Sequence, residues 1–89
     1  MGLPDSRDKI DDIDAKIALL LSERIKLVKE IGIEKKRLGM AVVDADREHI
    51  VLQNIEGTTR NQGLNQAEIR AIRSIYKKIM EEAAKLESE

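Results

Sequence analysis

Residues 10–31, IDDIDAKIALLLSERIKLVKEI, decide the fold of this 89-residue chain. Their apolar side chains recur at alternating spacings of three and four residues, which is the a/d heptad pattern of an α-helix that packs along a seam. We call this set the heptad seam: Ile10, Ile13, Ile17, Leu20, Leu27 and Ile31, with Arg24 in the remaining position. Pro4, with Asp5 or Ser6 as the cap, predicts the start of this helix, and Leu38-Gly39 predicts its end.

The length of this first helix predicts a second copy of the chain. About 34 residues at 1.5 Å each give roughly 50 Å, whereas a compact domain of this size is only about 30 Å across. The helix therefore either breaks near Gly32 or buries its length against another protomer. Gly32 costs about 1 kcal/mol relative to alanine, and we expect it to be tolerated because another segment packs close to its backbone.

The rest of the chain predicts two shorter helices. Met40–Val43 is apolar but has no partner strand, so we expect a loop. Asp44 is expected to cap a second helix from Ala45 to about Glu56, which Gly57 ends, and residues 58–63 read as a polar loop. Asn65, with Glu68 three residues later, resembles a capping box for the third helix, whose apolar stripe is Ile69, Ile72, Ile75 or Tyr76, Ile79, Ala83 and Leu86. The predicted fold is all-α, with three helices per protomer in an intertwined dimer and residues 1–89 as one domain.

Composition excludes several classes of function. The chain has no cysteine, one histidine and a single aromatic residue, Tyr76, so it offers neither a thiolate nor a protein-only zinc site, and no aromatic platform for bases. A formal charge of -1 gives no bulk attraction for nucleic acid or anionic lipid. No apolar run approaches a membrane span, and the charged first ten residues do not resemble a signal peptide. We expect a cytoplasmic protein without metal or cofactor.

Two cations on the first helix are candidates for binding an anion. Arg24 occupies an apolar position of the heptad seam, and a buried unpaired guanidinium would cost several kcal/mol. It therefore meets a ligand, pairs with a carboxylate or extends to solvent. Lys35 is 11 residues further on, within about 20° of the same face. The alternative for Lys35 is a solvated side chain in the basic run at 35–37.

A third cluster, Asp44-Ala45-Asp46-Arg47-Glu48, lies where a loop meets the second helix. Asp44 and Glu48 share a face, and Arg47 can pair with either. Ordinary capping and surface pairing also explain such a cluster.

Together these segments resemble the all-helical, AroQ-type chorismate mutases from Ser6 to Glu87. No single segment is decisive, but five in order at the family's spacing are specific. They are Arg7-Asp8-Lys9-Ile10-Asp11-Asp12-Ile13-Asp14, Leu19-Leu20-Leu21-Ser22-Glu23-Arg24, Ile31-Gly32-x-x-Lys35, Val43-Asp44-Ala45-Asp46-Arg47-Glu48 and Ile75-Tyr76-Lys77-Lys78-Ile79-Met80-Glu81.

The resemblance implies a cation cluster that binds the dicarboxylate chorismate. Arg24 matches the arginine that binds one carboxylate, and Arg7 the arginine supplied by the other subunit of a homodimer. Lys35 matches the lysine that contacts a carboxylate and the ether oxygen. Glu48 matches the glutamate that accepts the ring hydroxyl, with Asp44 and Arg47 ordering that corner.

The third helix departs from the family pattern in one place. Ala83 falls where the family often has a serine near a substrate carboxylate, so that hydroxyl contact is either missing or replaced by the backbone or water. Glu87 falls where the family has a glutamine or glutamate facing the ether oxygen. The alternative for Glu87 is a frayed, solvated side chain near the end of the chain.

The implied activity is chorismate mutase, the [3,3] rearrangement of chorismate to prephenate in phenylalanine and tyrosine biosynthesis. This reaction needs positioning and charge stabilisation, but no covalent bond to the enzyme. Isochorismate pyruvate-lyase on the same fold is one alternative, although an intact hydroxyl-binding corner favours the mutase. A non-enzymatic helical dimerisation module is another, but it does not explain Arg24 within the seam.

Overall fold

The computed structural model describes residues 2–89 and consists of three helices, α1 (Leu3–Leu38), α2 (Ala45–Asn61) and α3 (Gln66–Glu87). No strand occurs in the described residues, so the predicted all-α class is confirmed. α1 runs unbroken through Gly32, and the described chain measures 54 × 25 × 16 Å. The expectation that the first helix is too long for a compact protomer is therefore confirmed.

The start of α1 differs from the prediction that Asp5 or Ser6 caps it. Gly2 occupies the N-cap position, and Pro4 lies within the first turn. The Gly2 N–H donates to the Asp5 carboxylate at 3.4 Å, so Asp5 satisfies the helix start from inside the first turn. An acidic side chain there is also favoured by the helix dipole.

The predicted end of α1 at Leu38-Gly39 is confirmed. Gly39 has φ of 68°, a left-handed conformation that glycine adopts without steric cost. The Gly39 N–H donates to the Lys36 carbonyl at 3.2 Å, and the Met40 N–H donates to the Lys35 carbonyl at 2.8 Å. These two bonds form a Schellman motif, which turns the Met40–Val43 loop back along the end of α1.

α2 extends further than predicted. It continues through Gly57 to Asn61, so the expected end at Gly57 and the loop over 58–61 are wrong. The cost of a helical glycine is about 1 kcal/mol, and the following turn offsets it because Thr59 is buried, with its hydroxyl bonded to the Ile55 and Glu56 carbonyls. The left-handed turn lies at Gly63, with φ of 78°.

α3 begins as predicted and occupies the middle of the protomer. The Asn65 side chain accepts from the Glu68 N–H, and the Glu68 carboxylate accepts from the Asn65 N–H, each at 2.9 Å. α3 packs on both α1 and α2, whereas α1 and α2 make no helix–helix contact within residues 2–89. Since both neighbours rest only on α3, the space between α1 and α2 is left open.

The buried face of α1 is not the heptad seam. The residues that α1 buries or half-buries form a stripe along its C-terminal half. They are Leu21, Arg24, Val28, Gly32 and Lys35. Every residue from 2 to 20 is exposed, and the apolar members of the seam keep 47–62% of their surface accessible. The protomer thus uses one face of α1 for α3 and leaves the apolar members of the seam uncovered.

The hydrophobic core of one protomer is small. Only four apolar side chains are buried in the described chain, namely Val28, Leu52, Ile69 and Met80, and none is fully enclosed. Tyr76 rather than Ile75 continues the predicted stripe of α3, since Ile75 remains 60% exposed. A core of this size rarely stabilises a domain without further burial.

Candidate active site

The gap between α1 and α2 forms a cavity of about 340 Å³ with α3 as its floor. We call it the interhelical cavity. It is lined by Arg24, Leu27, Val28, Ile31 and Lys35 of α1, Val42, Asp44, Arg47, Glu48 and Val51 of the loop and α2, and Met80, Ala83, Ala84 and Glu87 of α3. Apolar walls with a few convergent charged groups are typical of small-molecule sites.

Seven of the eight residues predicted for the site line this cavity: Arg24, Lys35, Asp44, Arg47, Glu48, Ala83 and Glu87. Arg7 does not, because it lies 17 residues before Arg24, about 25 Å along the helix, in the exposed part of α1. One chain therefore assembles every predicted site residue except Arg7.

Lys35 links all three walls of the cavity. Its Nζ donates to the Val42 carbonyl at 2.7 Å and to Glu87 Oε1 at 3.1 Å. The Lys35 and Glu87 side chains are only 18% and 11% exposed, which rules out a solvated lysine and a frayed glutamate. Charge-assisted hydrogen bonds at this depth are stronger than surface ion pairs, so they fix the relative positions of α1, the loop and α3.

Glu87 reaches this position because α3 approaches the backbone of α1 at Gly32. A Cβ built at Gly32 would lie 2.9 Å from both the Cα and the carbonyl oxygen of Glu87. The expectation that a segment packs closely on this glycine is thereby confirmed.

Arg24 is half-buried and lies over the ring of Tyr76, with its Cζ 5.8 Å from the ring centroid. This is within the range of a cation–π contact. No carboxylate among residues 2–89 forms an ion pair with Arg24, which lines the interhelical cavity. Sequence reasoning missed Tyr76 as its neighbour, although the only aromatic residue on the α3 stripe was a signal for it.

The corner at the start of α2 is ordered by capping. Asp44 is the N-cap residue, as predicted, and its Oδ1 accepts from the Arg47 N–H at 3.1 Å. This bond fixes the first turn of α2, which carries Arg47 and Glu48. Glu48, half-buried, faces the cavity one turn after Asp44.

The charges around the cavity balance within one chain. Three basic residues, Arg24, Lys35 and Arg47, face three acidic residues, Asp44, Glu48 and Glu87. No group of three or more His, Asp or Glu side chains in residues 2–89 is arranged to hold a metal ion. No helix of this same range is long and apolar enough to cross a bilayer.

Three helices around a cavity with three basic and three acidic residues define an all-helical protein with a candidate site for a small polar molecule. The profile of the chorismate mutase type II family matches residues 6–88, and the chain belongs to this family. A curated chorismate mutase of Methanocaldococcus jannaschii is 33% identical over 64 residues, which are 72% of this chain and 65% of that protein. The aligned part of the chain thus spans slightly less than two thirds of that relative. No solved structure matches the chain.

Proposed function

We propose that the protein catalyses the rearrangement of chorismate to prephenate in the cytoplasm. The observation that carries this proposal is the interhelical cavity, where Arg24, Lys35 and Arg47 converge between apolar walls. Chorismate is a small molecule with two carboxylates, an apolar ring and one hydroxyl. Cations for its carboxylates and an acceptor for its hydroxyl are the groups that such a cavity must supply.

Positioning is the first task of the site. The enolpyruvyl arm must be held over the ring, and holding both ends of one molecule supplies much of the rate enhancement in such reactions. Arg24 binds one carboxylate and Lys35 the other. Glu48 accepts a hydrogen bond from the ring hydroxyl. The capped turn at Asp44 and Arg47 sets the orientation of Glu48. Ala83 provides no hydroxyl, so a backbone group or water replaces that contact.

Charge stabilisation is the second task. As the ether bond breaks, negative charge grows on its oxygen, and a fixed donor there lowers the barrier. The Lys35 ammonium has three N–H donors, of which Val42 and Glu87 occupy two. The third is free, and the substrate carboxylate and the ether oxygen share it. Glu87 can donate to the same oxygen only when it is protonated, so this contribution falls as the pH rises.

Arg7 enters the site from the partner in a homodimer. The cavity of one chain carries no net charge, which suits a dianion poorly. Arg7 cannot reach the cavity of its own chain, because roughly 25 Å of straight helix separates it from Arg24. A second α1 packed along the exposed heptad seam would bury the apolar residues of both chains and bring Arg7 to the partner's cavity.

The activity is tested by incubating purified protein with chorismate and, separately, with isochorismate. We expect prephenate from chorismate, and neither salicylate nor pyruvate from isochorismate. Salicylate and pyruvate would instead identify the lyase. Conversion of neither substrate, by a protein whose Arg24→Ala variant is more stable than the wild type, would favour a dimerisation module.

Supply of Arg7 by the partner is tested by mixing two inactive variants, Arg7→Ala and Arg24→Ala. After unfolding and refolding together, half of the dimers contain one chain of each kind. Each mixed dimer has one intact site, so the mixture should recover about a quarter of the wild-type activity. No recovery, with mixed dimers confirmed by mass, would refute the shared site.

A further inference from the structure

At Gly32 the backbones of α1 and α3 approach closely, and Gly32 lies one turn before Lys35. We propose that Gly32 is a positioning residue that sets the Glu87 carboxylate against Lys35, an inference that rests on the proposed chorismate chemistry. Gly32 contributes no group to the cavity. Because it has no side chain, it allows the end of α3 to pack directly on the backbone of α1.

The space at Gly32 cannot accept even a methyl group. A Cβ there would lie 2.9 Å from the Glu87 Cα, 2.9 Å from the Glu87 carbonyl oxygen and 3.3 Å from its carbonyl carbon. All three atoms are backbone, so no side-chain rotation relieves the contact. Carbon atoms pack at about 3.5–4.0 Å, and the end of α3 would have to retreat by roughly 0.6 Å or more.

A retreat of that size matters because Glu87 is fixed by short contacts. Its carboxylate lies 3.1 Å from Lys35 Nζ, and Lys35 is itself held by Val42 at 2.7 Å. Site geometry generally has to be kept within about 0.5 Å. Displacement of Glu87 would therefore separate the two groups proposed to meet the ether oxygen.

The alternative is that Gly32 only allows the helices to pack. A methyl group would then lower stability but leave the folded enzyme with normal turnover. The positioning role predicts instead a loss of kcat that depends on the presence of the Glu87 carboxylate. Double-mutant logic separates these cases, since residues that act through one another give non-additive effects.

The experiment measures kcat and KM for chorismate in the wild type, Gly32→Ala, Glu87→Ala and the double variant. We expect Gly32→Ala to lower kcat about 10- to 100-fold, with a smaller change in KM because the ether oxygen gains charge only in the transition state. In the Glu87→Ala background, the loss caused by Gly32→Ala should be at least about fivefold smaller. Any smaller difference between the two backgrounds would overturn the inference.

Gly57→Ala is the matched control. Gly57 is also inside a helix, but a Cβ there meets nothing within 4 Å, so alanine should raise Tm by a few degrees without changing kcat. If Gly32→Ala alone does not fold, it is measured in the Gly57→Ala background. A chain that stays unfolded there shows that Gly32 is required for the fold itself, which would overturn the inference.

A second measurement separates this inference from the proposed activity. If the wild type does not convert chorismate, the proposed function fails. The midpoints of urea unfolding then still test whether Gly32 positions Glu87. The shift in midpoint caused by Lys35→Met should shrink by at least half in a Gly32→Ala chain, because the pair with Glu87 is already weakened. An undiminished shift would show that Gly32 does not position Glu87.

Discussion

The contact between Lys35 and Glu87 gives the most direct prediction for stability. Replacing Lys35 by Met keeps most of the aliphatic stem but removes the ammonium, and with it two hydrogen bonds of 2.7 and 3.1 Å. It also leaves a carboxylate that is only 11% exposed without its partner. Hydrogen bonds to charged groups contribute about 1.5–3 kcal/mol, and loss of one member of a fully buried pair costs about 3–5 kcal/mol.

Since Lys35 retains some access to solvent, we expect Lys35→Met to lower the free energy of unfolding by about 2–4 kcal/mol. Glu87→Gln should cost about 1–2 kcal/mol, because the amide oxygen still accepts from Lys35. The double variant should cost less than the sum of the two by about 1–2 kcal/mol. Urea unfolding at one fixed protein concentration measures all four chains, since the stability of an oligomer depends on concentration.

Lys78→Met is the control for this cycle. Lys78 pairs with Glu81 and Glu82 at 3.3 Å, but all three side chains are more than half exposed. The two carboxylates raise the pKa of Lys78, yet such pairs are largely screened by water, and we expect no measurable change in midpoint. A coupling between Lys35 and Glu87 within error of zero would refute the interpretation of their contact as a fixed element of the site.

Three further predictions concern assembly, capping and acid stability. Ile13→Glu with Ile17→Glu should convert a dimer to a monomer in light scattering, because both lie in the exposed heptad seam, whereas Lys16→Glu should not; an unchanged mass would exclude the seam as the interface. Asp44→Ala should cost about 0.5–2 kcal/mol through loss of the N-cap, whereas Asp44→Asn should retain stability in thermal melts. Lys85 and Lys78 lower the pKa of Glu82, so the stability it contributes is present above the ordinary glutamate pKa and lost as the pH falls through the lowered value. All three side chains are more than half exposed, so water screens this contribution, and Glu82→Gln should leave the loss of Tm between about pH 5 and 3 nearly unchanged; a clearly smaller loss in the variant would contradict this.

Local signals in the sequence were sufficient where one side chain or glycine determines the backbone. Asp44 and the Asn65–Glu68 pair predicted two helix starts because each satisfies free N–H groups directly. Gly39 predicted a helix end because only glycine enters the left-handed region there without cost. The predicted helix end at Gly57 was wrong because tertiary contacts, and not a local signal, determine the backbone there. Thr59, one half-turn later, is buried, and local propensity contains no information on such burial.

The heptad seam shows a different limit of sequence reasoning. Its periodicity predicted a packed face, but the protomer packs α1 through a neighbouring stripe that shares only Arg24 with the seam and also includes Gly32 and Lys35. Because this stripe contains polar and small residues, a search for hydrophobic periodicity does not detect it. The longest apolar repeat in the chain instead marks the surface that the protomer itself leaves open.

The balance of charge in the interhelical cavity leads to a final prediction. The cavity of one chain is formally neutral, whereas chorismate carries two negative charges. Arg7 from the partner would add one positive charge, and replacing Glu87 by glutamine would remove one negative charge. With both changes the site would carry two positive charges and match the proposed dianion, because uncompensated charge in a partly dry cavity is costly.

This argument predicts that removing the charge of Glu87 strengthens the binding of a dianion. We expect Glu87→Gln to bind a non-rearranging dicarboxylate analogue that retains the ether oxygen several-fold more tightly than the wild type, because the amide removes one negative charge from the cavity while its oxygen still accepts from Lys35. Calorimetry measures both dissociation constants, and Glu81→Gln is the control because that side chain is 63% exposed and does not line the cavity. Equal or weaker binding by Glu87→Gln would refute the argument that the charge balance of the cavity limits the binding of a dianion.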